Sequence, residues 1–354
     1  MTTPAPSEFP RAAREGDLTP AIRALMSGRS LSETEAFQTF TEITSGSSHD
    51  GEIGALLALL AMRLPSVDEI VGAARVMRAK VDPVPTTIDP SRLLDTAGTG
   101  GAPKTFNVST IAAIVAAASG AKVAKAGNRS RTGRGSAETL ERVGVNVNAS
   151  REVQTRCLAE CGICFCFAIH HHPAAKYAIG VRKALGFPTI FNLLGPLTNP
   201  ARAQRQVMGV YAPQFMRVVA ASLLRLNAKR ALVLHSDDGL DEISILKPTR
   251  VIEVRDGQLH EWSIDPRALK LAEADPQRLA PASLDEAAAL FKAVLRGDER
   301  GPCRDLVLVN SAAALLASDL VPSIEAGIQV AAHTIDFGDG WKCFEALREI
   351  SNQS

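Results

Sequence analysis

Apolar residues recur at helical spacing from about Leu18 to Lys80, as in Ile53, Leu56, Leu57 and Leu60 and again in Ile70, Ala73 and Val76. Positions three and four apart share one face of a helix, so this segment is predicted to be helical. Ser66 ahead of Val67, Asp68 and Glu69 supplies an N-cap with acids in the first turn. The following segment, VDPVPTTIDP, holds three prolines and reads as an extended linker.

From Leu93 the pattern changes to short apolar runs alternating with helical segments. LLDTAG is predicted as a strand, Ser109 to Ser119 as an Ala-rich helix capped by Ser109 or Thr110 and stopped at Gly120, and AKVAKAG as the next strand. SAETLERVG reads as a helix, VNVN as a strand, the segment from Ser150 to Gly162 as a capped helix, and ICFCFAI as a strand. QVMGVYA, the helix after Pro213 and ALVLHS form a strand–helix–strand unit. RVIEVRDGQLHEWSI reads as a hairpin turning at Asp256-Gly257. Ser283 and Glu286 form a capping box, its helix stops at Gly297, and the chain from Asn310 onward reads as mostly helix. Strands alternating with helices predict an α/β fold with a mostly parallel central sheet.

Composition narrows the class without changing that picture. The 354 residues exceed one small core, and 46% hydrophobic with 22% charged residues is ordinary for a globular protein. A net charge of +1 argues against a general nucleic-acid binder. No apolar run reaches the about 20 residues that span a bilayer. The N-terminal residues lack the apolar core of a secretory signal and read as a loose tail, so the six cysteines are expected to be reduced thiols in the cytoplasm.

The charge is distributed unevenly. Between Asp95 and Glu138 there is no acid but six bases, Lys104, Lys122, Lys125, Arg129, Arg131 and Arg134, set around two glycine-rich loops. The first loop begins at Gly98 and runs into Asn107, Val108, Ser109 and Thr110; the second runs from Lys125 to Ser136. Free backbone N–H groups at glycine turns and at a helix start make an anion site, and cations reinforce it. A bare glycine loop is as readily a tight strand–helix turn. A cluster of like charges, however, repels itself without a counter-anion, and a phosphate-rich small molecule is the ligand this chemistry suits. Asp241 and Glu242 follow an apolar strand and offer hard oxygen ligands for Mg²⁺, which takes one or two carboxylates together with phosphate oxygens. His170, His171 and His172 are consecutive and point apart in any regular element, so they do not read as one metal site. Cys157, Cys161 and Cys164 have iron–sulfur spacing, but they fall on a helix and a buried strand rather than on a loop, where buried free cysteine acts as a small hydrophobe.

Taken in order, GTGG…NVST, KAGNRS, GSAETLERVG, HHPAAKYAIGVRKALG, TIFNLLGPLTNP and GLDEIS resemble the anthranilate phosphoribosyltransferase family, from about residue 20 to the C-terminus. The resemblance implies a small helical domain hinged to a large α/β domain, usually in a homodimer. It implies phosphoribosyl transfer from phosphoribosyl pyrophosphate to anthranilate, in tryptophan biosynthesis. On that basis residues 1–17 are expected to be a tail and 18–85 the helical domain, completed by residues about 176–200. Residues 86–354 are expected to form the α/β domain that binds phosphoribosyl pyrophosphate. The resemblance assigns Gly98, Gly101, Ala102, Thr105, Asn107, Val108, Ser109 and Thr110 to the pyrophosphate cradle. It assigns Lys125, Gly127, Asn128, Arg129 and Ser136 to the donor, with Asn128 also facing anthranilate. Arg182 would meet the anthranilate carboxylate, His172 and Pro196 would line the path of the aromatic substrate, and Ser109, Asp241 and Glu242 would hold Mg²⁺. Lys125, Asn128 and Arg182 are the implied catalytic residues. The chain departs from the family pattern at Ala102, where the family has Asp, at Ala126, where it has His, and in both loops, each one residue shorter. These departures leave three other readings to weigh: a relative with a different aromatic acceptor, a nucleoside phosphorylase, and a non-catalytic relative that binds nucleic acid through the arginine-rich loop.

Overall fold

A computed structural model describes residues 14–103, 105–130, 133–269, 271 and 275–353. Lys104, Arg131 and the first thirteen residues of the expected tail lie outside the described residues. Four helices, Thr19–Met26, Glu33–Ser45, Asp50–Met62 and Val67–Ala79, form the N-terminal bundle. The last begins with the expected cap: Ser66 accepts from Glu69 N, and the Glu69 carboxylate accepts from Ser66 N at 2.8 Å. Residues 81–89 then run without regular structure to the sheet.

Seven strands make one sheet: β1 (Leu93–Asp95), β2 (Lys122–Gly127), β3 (Ile163–Phe167), β4 (Arg205–Gly209), β5 (Arg230–Ser236), β6 (Thr249–Arg255) and β7 (Gln258–Ile264). Their order is β3-β2-β1-β4-β5-β6-β7, parallel through β5 and antiparallel at β6 and β7. The chain is thus an α/β protein with a helical N-terminal domain and a mostly parallel sheet. β2 lies on one side of β1 and β4 on the other, which makes the C-terminal end of β1 a topological switch point, where α/β sheets bind ligands.

Alternation along the strands divides the core. Leu232 and Leu234 of β5 pack with the helices Val108–Ala118 and Pro302–Ala317, while Ala231 and Val233, alternating with them, pack on the opposite face. That second face continues through the helix Met216–Arg225 into the N-terminal bundle, and the helices Lys176–Leu185 and Ile190–Leu194 join the same apolar cluster. Each fully buried Leu or Val here stabilises the fold by about 1.5–3 kcal/mol relative to exposure. Arg78 fastens the bundle by donating from Nε to Leu197 O at 2.7 Å and from Nη1 to Leu226 O at 3.1 Å; burial lowers its guanidinium to about 10.

Three local expectations need correction. Residues 145–148 form no strand; Asn148 N bonds its neighbour Asn146 Oδ1 at 3.0 Å and Asn146 N bonds Ser351 Oγ, so side chains replace a sheet partner. The helix after the first loop starts at Val108 with Asn107 as its cap, rather than Ser109 or Thr110. Ser283 caps its helix as expected, but the Glu286 carboxylate accepts from Ala282 N instead of closing the box on Ser283 N.

A buried histidine ties the linker to the α/β part. His171 Nδ1 meets Asp82 O at 2.7 Å, so Nδ1 carries the proton, and Nε2 accepts from Arg151 Nη1 at 3.3 Å. Burial lowers His171 from 6.5 to about 4, opposed by its bond to Asp82, and burial also lowers His172 to about 4. Both stay neutral in the folded protein while the unfolded chain takes up protons below 6.5. Their contribution to stability is therefore complete above pH 6.5 and is lost as pH drops toward 4, by on the order of 3 kcal/mol per histidine. Urea unfolding at stepped pH is expected to show this decline, with a shallower slope in His171→Asn.

Candidate active site

β1 ends at Asp95, which is fully buried and must therefore be paired. Its Oδ1 accepts from Ala126 N at 3.0 Å and its Oδ2 from Asn199 Nδ2 at 2.8 Å. Asn199 also donates to Ala124 O and accepts from Ala201 N and Ala203 N. Burial pushes the Asp95 carboxyl up, while Lys125 and these donors pull it down. The first glycine loop rises from this anchor. Thr99 N donates to Gly209 O at 2.9 Å, Tyr211 N donates to Thr99 Oγ1 at 3.0 Å, and the Tyr211 side chain lies against Gly101. Gly100 and Gly101 take φ of +63° and +100°, which a residue with Cβ adopts only under strain.

The acidic turn after β5 meets this loop directly. Glu242 Oε2 accepts from Thr105 Oγ1 at 2.6 Å, and its Oε1 accepts from Ser109 N at 3.3 Å. Asp241 Oδ2 faces Gly98, lying 3.2 Å from where a Cβ would stand, and Asp241 O presses on Gly209. Ile243 behind them exchanges two 2.9 Å hydrogen bonds with Asn310 of the helix Pro302–Ala317. The carboxylate pair is thus fixed at the edge of the first glycine loop. Its hard oxygen donors fit a magnesium ion shared with phosphate oxygens. They do not make an all-protein cage: among the described residues no group of three or more His, Cys, Asp or Glu is placed to hold a metal.

The second loop follows β2. Lys125 is 2% exposed, lying beneath the first loop with Nζ donating to Thr96 O at 3.3 Å. Burial pushes its ammonium down, and Asp95 and Glu242 pull it back up. Gly127 leaves room for Ser136 and Phe165, since a Cβ there would stand 2.4 Å from Ser136 Oγ. Ser136 opens the helix Ser136–Arg142, and its hydroxyl donates to Asn128 O at 3.4 Å. Asn128 is exposed. Arg129 forms a double contact with Glu141, at 2.8 and 2.7 Å, and lies over Phe167. Glu138 closes the loop by accepting from Ser130 N and Gly135 N.

The remaining candidates sit on other elements. Arg182, on the helix Lys176–Leu185, lies over the Phe191 ring at 5.1 Å. Pro196 is buried and its carbonyl accepts from Gln206 Nε2, one step from Asp95 in the β1–β4 register. His172 is partly buried, and its Nδ1 has no partner among the described residues. The same holds for the buried hydroxyl of Thr110, while Val108 is core and Ala102 is partly exposed in the first loop. The contacts bring the first loop, the second loop and the acid pair together. The three histidines diverge as expected, His170 to Asn148, His171 to Asp82 and Arg151. All six cysteines are free thiols.

Sequence reasoning missed Asp95 and Asn199 as a buried anchor, Thr99 and Tyr211 as a clip on the first loop, and Glu138 as the closure of the second. One signal was present for Asp95, the acid that borders the acid-free stretch. Nothing local marks Tyr211, which reaches the loop only because β4 pairs with β1.

Comparison with known proteins bears on this arrangement as a whole. A family model described as the α/β domain of a glycosyl transferase family matches residues 90–340, and its helical-bundle counterpart matches residues 19–81. An anthranilate phosphoribosyltransferase of Anaeromyxobacter dehalogenans is 46% identical, with 93% of this chain and 96% of the relative covered. The chain belongs to the anthranilate phosphoribosyltransferase family. The crystal structure of the Thermus thermophilus member superposes with a TM-score of 0.88 at 36% identity, covering 94% of this chain and 99% of that one. The Saccharomyces cerevisiae member, solved with PRPP and Mg, shares the fold at a TM-score of 0.86 and 24% identity, with coverage of 96% and 98%.

Within this family frame, Gly209 is the residue that lets the acid pair reach the loop. A Cβ there would stand 1.7 Å from Asp241 O, whereas at Gly100 it would meet nothing within 4 Å. Gly209→Ala is expected to cost about 3 kcal/mol of unfolding free energy as overpacking, against about 1 kcal/mol for Gly100→Ala from backbone strain alone. Denaturant titration of the two variants checks the order.

Proposed function

We propose that the protein transfers the 5-phosphoribosyl group from phosphoribosyl pyrophosphate to anthranilate and releases pyrophosphate. The observation that carries this reading is the seating of Glu242 on Thr105 and Ser109, with Asp241 at Gly98. An acid pair for a cation and a glycine loop for pyrophosphate occupy one place at the switch point. Relatives above 40% identity that carry the same enzyme name support the choice of acceptor.

In the reaction the bond from the ribose anomeric carbon to the pyrophosphate oxygen breaks, and a bond to the anthranilate nitrogen forms. The amine proton leaves to solvent or to the departing pyrophosphate. Loop N–H groups at Gly98, Gly100 and Gly101 and the positive end of the helix Val108–Ala118 would stabilise the developing negative charge, already oriented before it arrives. Lys125 would act from beneath the loop as a fixed positive charge. Asn128 and Ser136 would hold the donor's phosphoribosyl end, with Gly127 keeping the backbone close and Arg129 bracing the loop through Glu141. Arg182 would clamp the anthranilate carboxylate, with His172 and Pro196 along its path, which places the amine near the reacting carbon. An aromatic amine is already nucleophilic, so no strong base is needed. Asp241, Glu242 and Ser109 would hold Mg²⁺, which, when bound, supplies Lewis-acid neutralisation of the leaving group. The proposal includes a cytoplasmic homodimer; Met26, Met62 and Leu64, exposed at the ends of the first and third helices, are apolar surface that a second copy would cover.

Purified protein with phosphoribosyl pyrophosphate, anthranilate and Mg²⁺ is expected to consume anthranilate fluorescence with saturation in both substrates. Absence of turnover alongside turnover of another aromatic carboxylate would reassign the acceptor. Asp241→Ala combined with Glu242→Ala is expected to lower kcat/KM by at least about 100-fold, as removal of transition-state charge stabilisation does; unchanged activity removes the metal role.

A further inference from the structure

Asn107 stands at the N-cap of the helix Val108–Ala118 with a left-handed backbone, φ 47° and ψ 38°. Asn takes this conformation more readily than most residues with a side chain. An N-cap Asn whose side chain bonds its own first turn has an extended backbone. Here it makes no such bond. Both of its polar groups cross to the second glycine loop: Nδ2 donates to Arg134 O at 3.3 Å, and Oδ1 accepts from Thr139 Oγ1 at 2.6 Å.

Thr139 is fully buried, one turn into the helix that Ser136 opens. That helix is itself fixed to the loop by Glu138. The Thr139 hydroxyl therefore has a rigid base, and the bond it donates has two consequences. It sets the distance between the two loops. It holds the Asn107 side chain across the gap between the loops.

We propose that Thr139 is a positioning residue for the phosphoribosyl donor: through Asn107 it holds the two glycine loops in register. It touches no substrate. The role rests on the donor assignment made under Proposed function. Without the Thr139 hydroxyl, Asn107 Oδ1 loses its donor and the first loop loses a fixed link to the second, so the two loops no longer converge on the same phosphates.

The test is steady-state kinetics and donor calorimetry on Thr139→Val, which keeps the shape and removes the hydroxyl, and on Thr139→Ser, which restores it. Thr139→Val is expected to raise both the KM and the Kd for phosphoribosyl pyrophosphate about tenfold, the scale of one buried hydrogen bond, with kcat and the anthranilate KM within about twofold. Thr139→Ser is expected to bring the donor KM back to within about twofold of wild type. In the cycle with Asn107→Gly, the effect of Thr139→Val on the donor KM is expected to vanish, since the two act as one unit. A donor KM unchanged in Thr139→Val, with only a lower Tm, overturns the proposal, as does additivity with Asn107→Gly. Should Thr139→Val fail to fold, Thr139→Ala takes its place, and a donor KM unchanged there overturns the bridge. Wild-type protein that binds no phosphoribosyl pyrophosphate overturns the functional reading itself, an outcome visible before any variant is compared.

Discussion

A carboxylate buried at the end of a central strand has to be paired, and the pairing of Asp95 organises everything above it. Its two oxygens are spoken for by Ala126 N of β2 and by Asn199, whose amide reaches back to β2 at Ala124. One side chain thus joins the stems of both glycine loops to the segment that follows the helix Ile190–Leu194. Lys125 sits within the same buried charge field. Removing a single partner from such a group leaves a charge stranded in low dielectric, which costs more than the pair contributes when whole. The loops can be glycine-rich and still hold one shape because their flexible parts rise from this rigid base.

The second constraint is the continuity of the core. The apolar cluster on one face of the sheet runs without interruption from β4, β5 and β6 through the helix Met216–Arg225 into the N-terminal bundle. Arg78 adds two hydrogen bonds to backbone carbonyls across that contact. Motion of the bundle against the sheet is therefore limited to what those packed surfaces allow, whereas the glycine loops and the acidic turn lie on the rim. Arg182 belongs to the bundle side and the acid pair to the sheet side, so the geometry between them depends on this shared core.

Much of the architecture was legible in the sequence because it is written locally. The capping box at Ser66, the turn at Asp256-Gly257 and the alternation in β5 each need only a few neighbouring residues. The acid pair and the first loop were also legible as chemistry. What could not be read locally is where distant segments meet. Residues 145–148 have a strand's alternation, yet the sheet edge beside β3 is not extended to them, and asparagine side chains meet their backbone instead. Asn107 was read as part of a phosphate loop, whereas the helix it caps and the Thr139 it binds appear only when two loops fold side by side. Lys125 looked like a ligand contact by its position among glycines, and the fold buries it beneath them.

The separation of charge along the chain acquires a physical sense in this arrangement. Residues 96–137 carry bases without acids, and the acids that balance them at Glu242 and Asp241 arrive from a turn more than a hundred residues later. In the unfolded chain the basic stretch is only loosely compensated. In the folded state Glu242 takes the hydrogen bonds of Thr105 and Ser109 N, groups that would otherwise point at the same space as a phosphate. With Ala102 in the loop, no acid of the loop itself contributes there. Among the acids nearby, the negative charge at this rim is then set by the β5 turn. A site built this way is complete only when the sheet has brought β1 and β5 within one strand of each other, which ties its chemistry to the topology rather than to either loop alone.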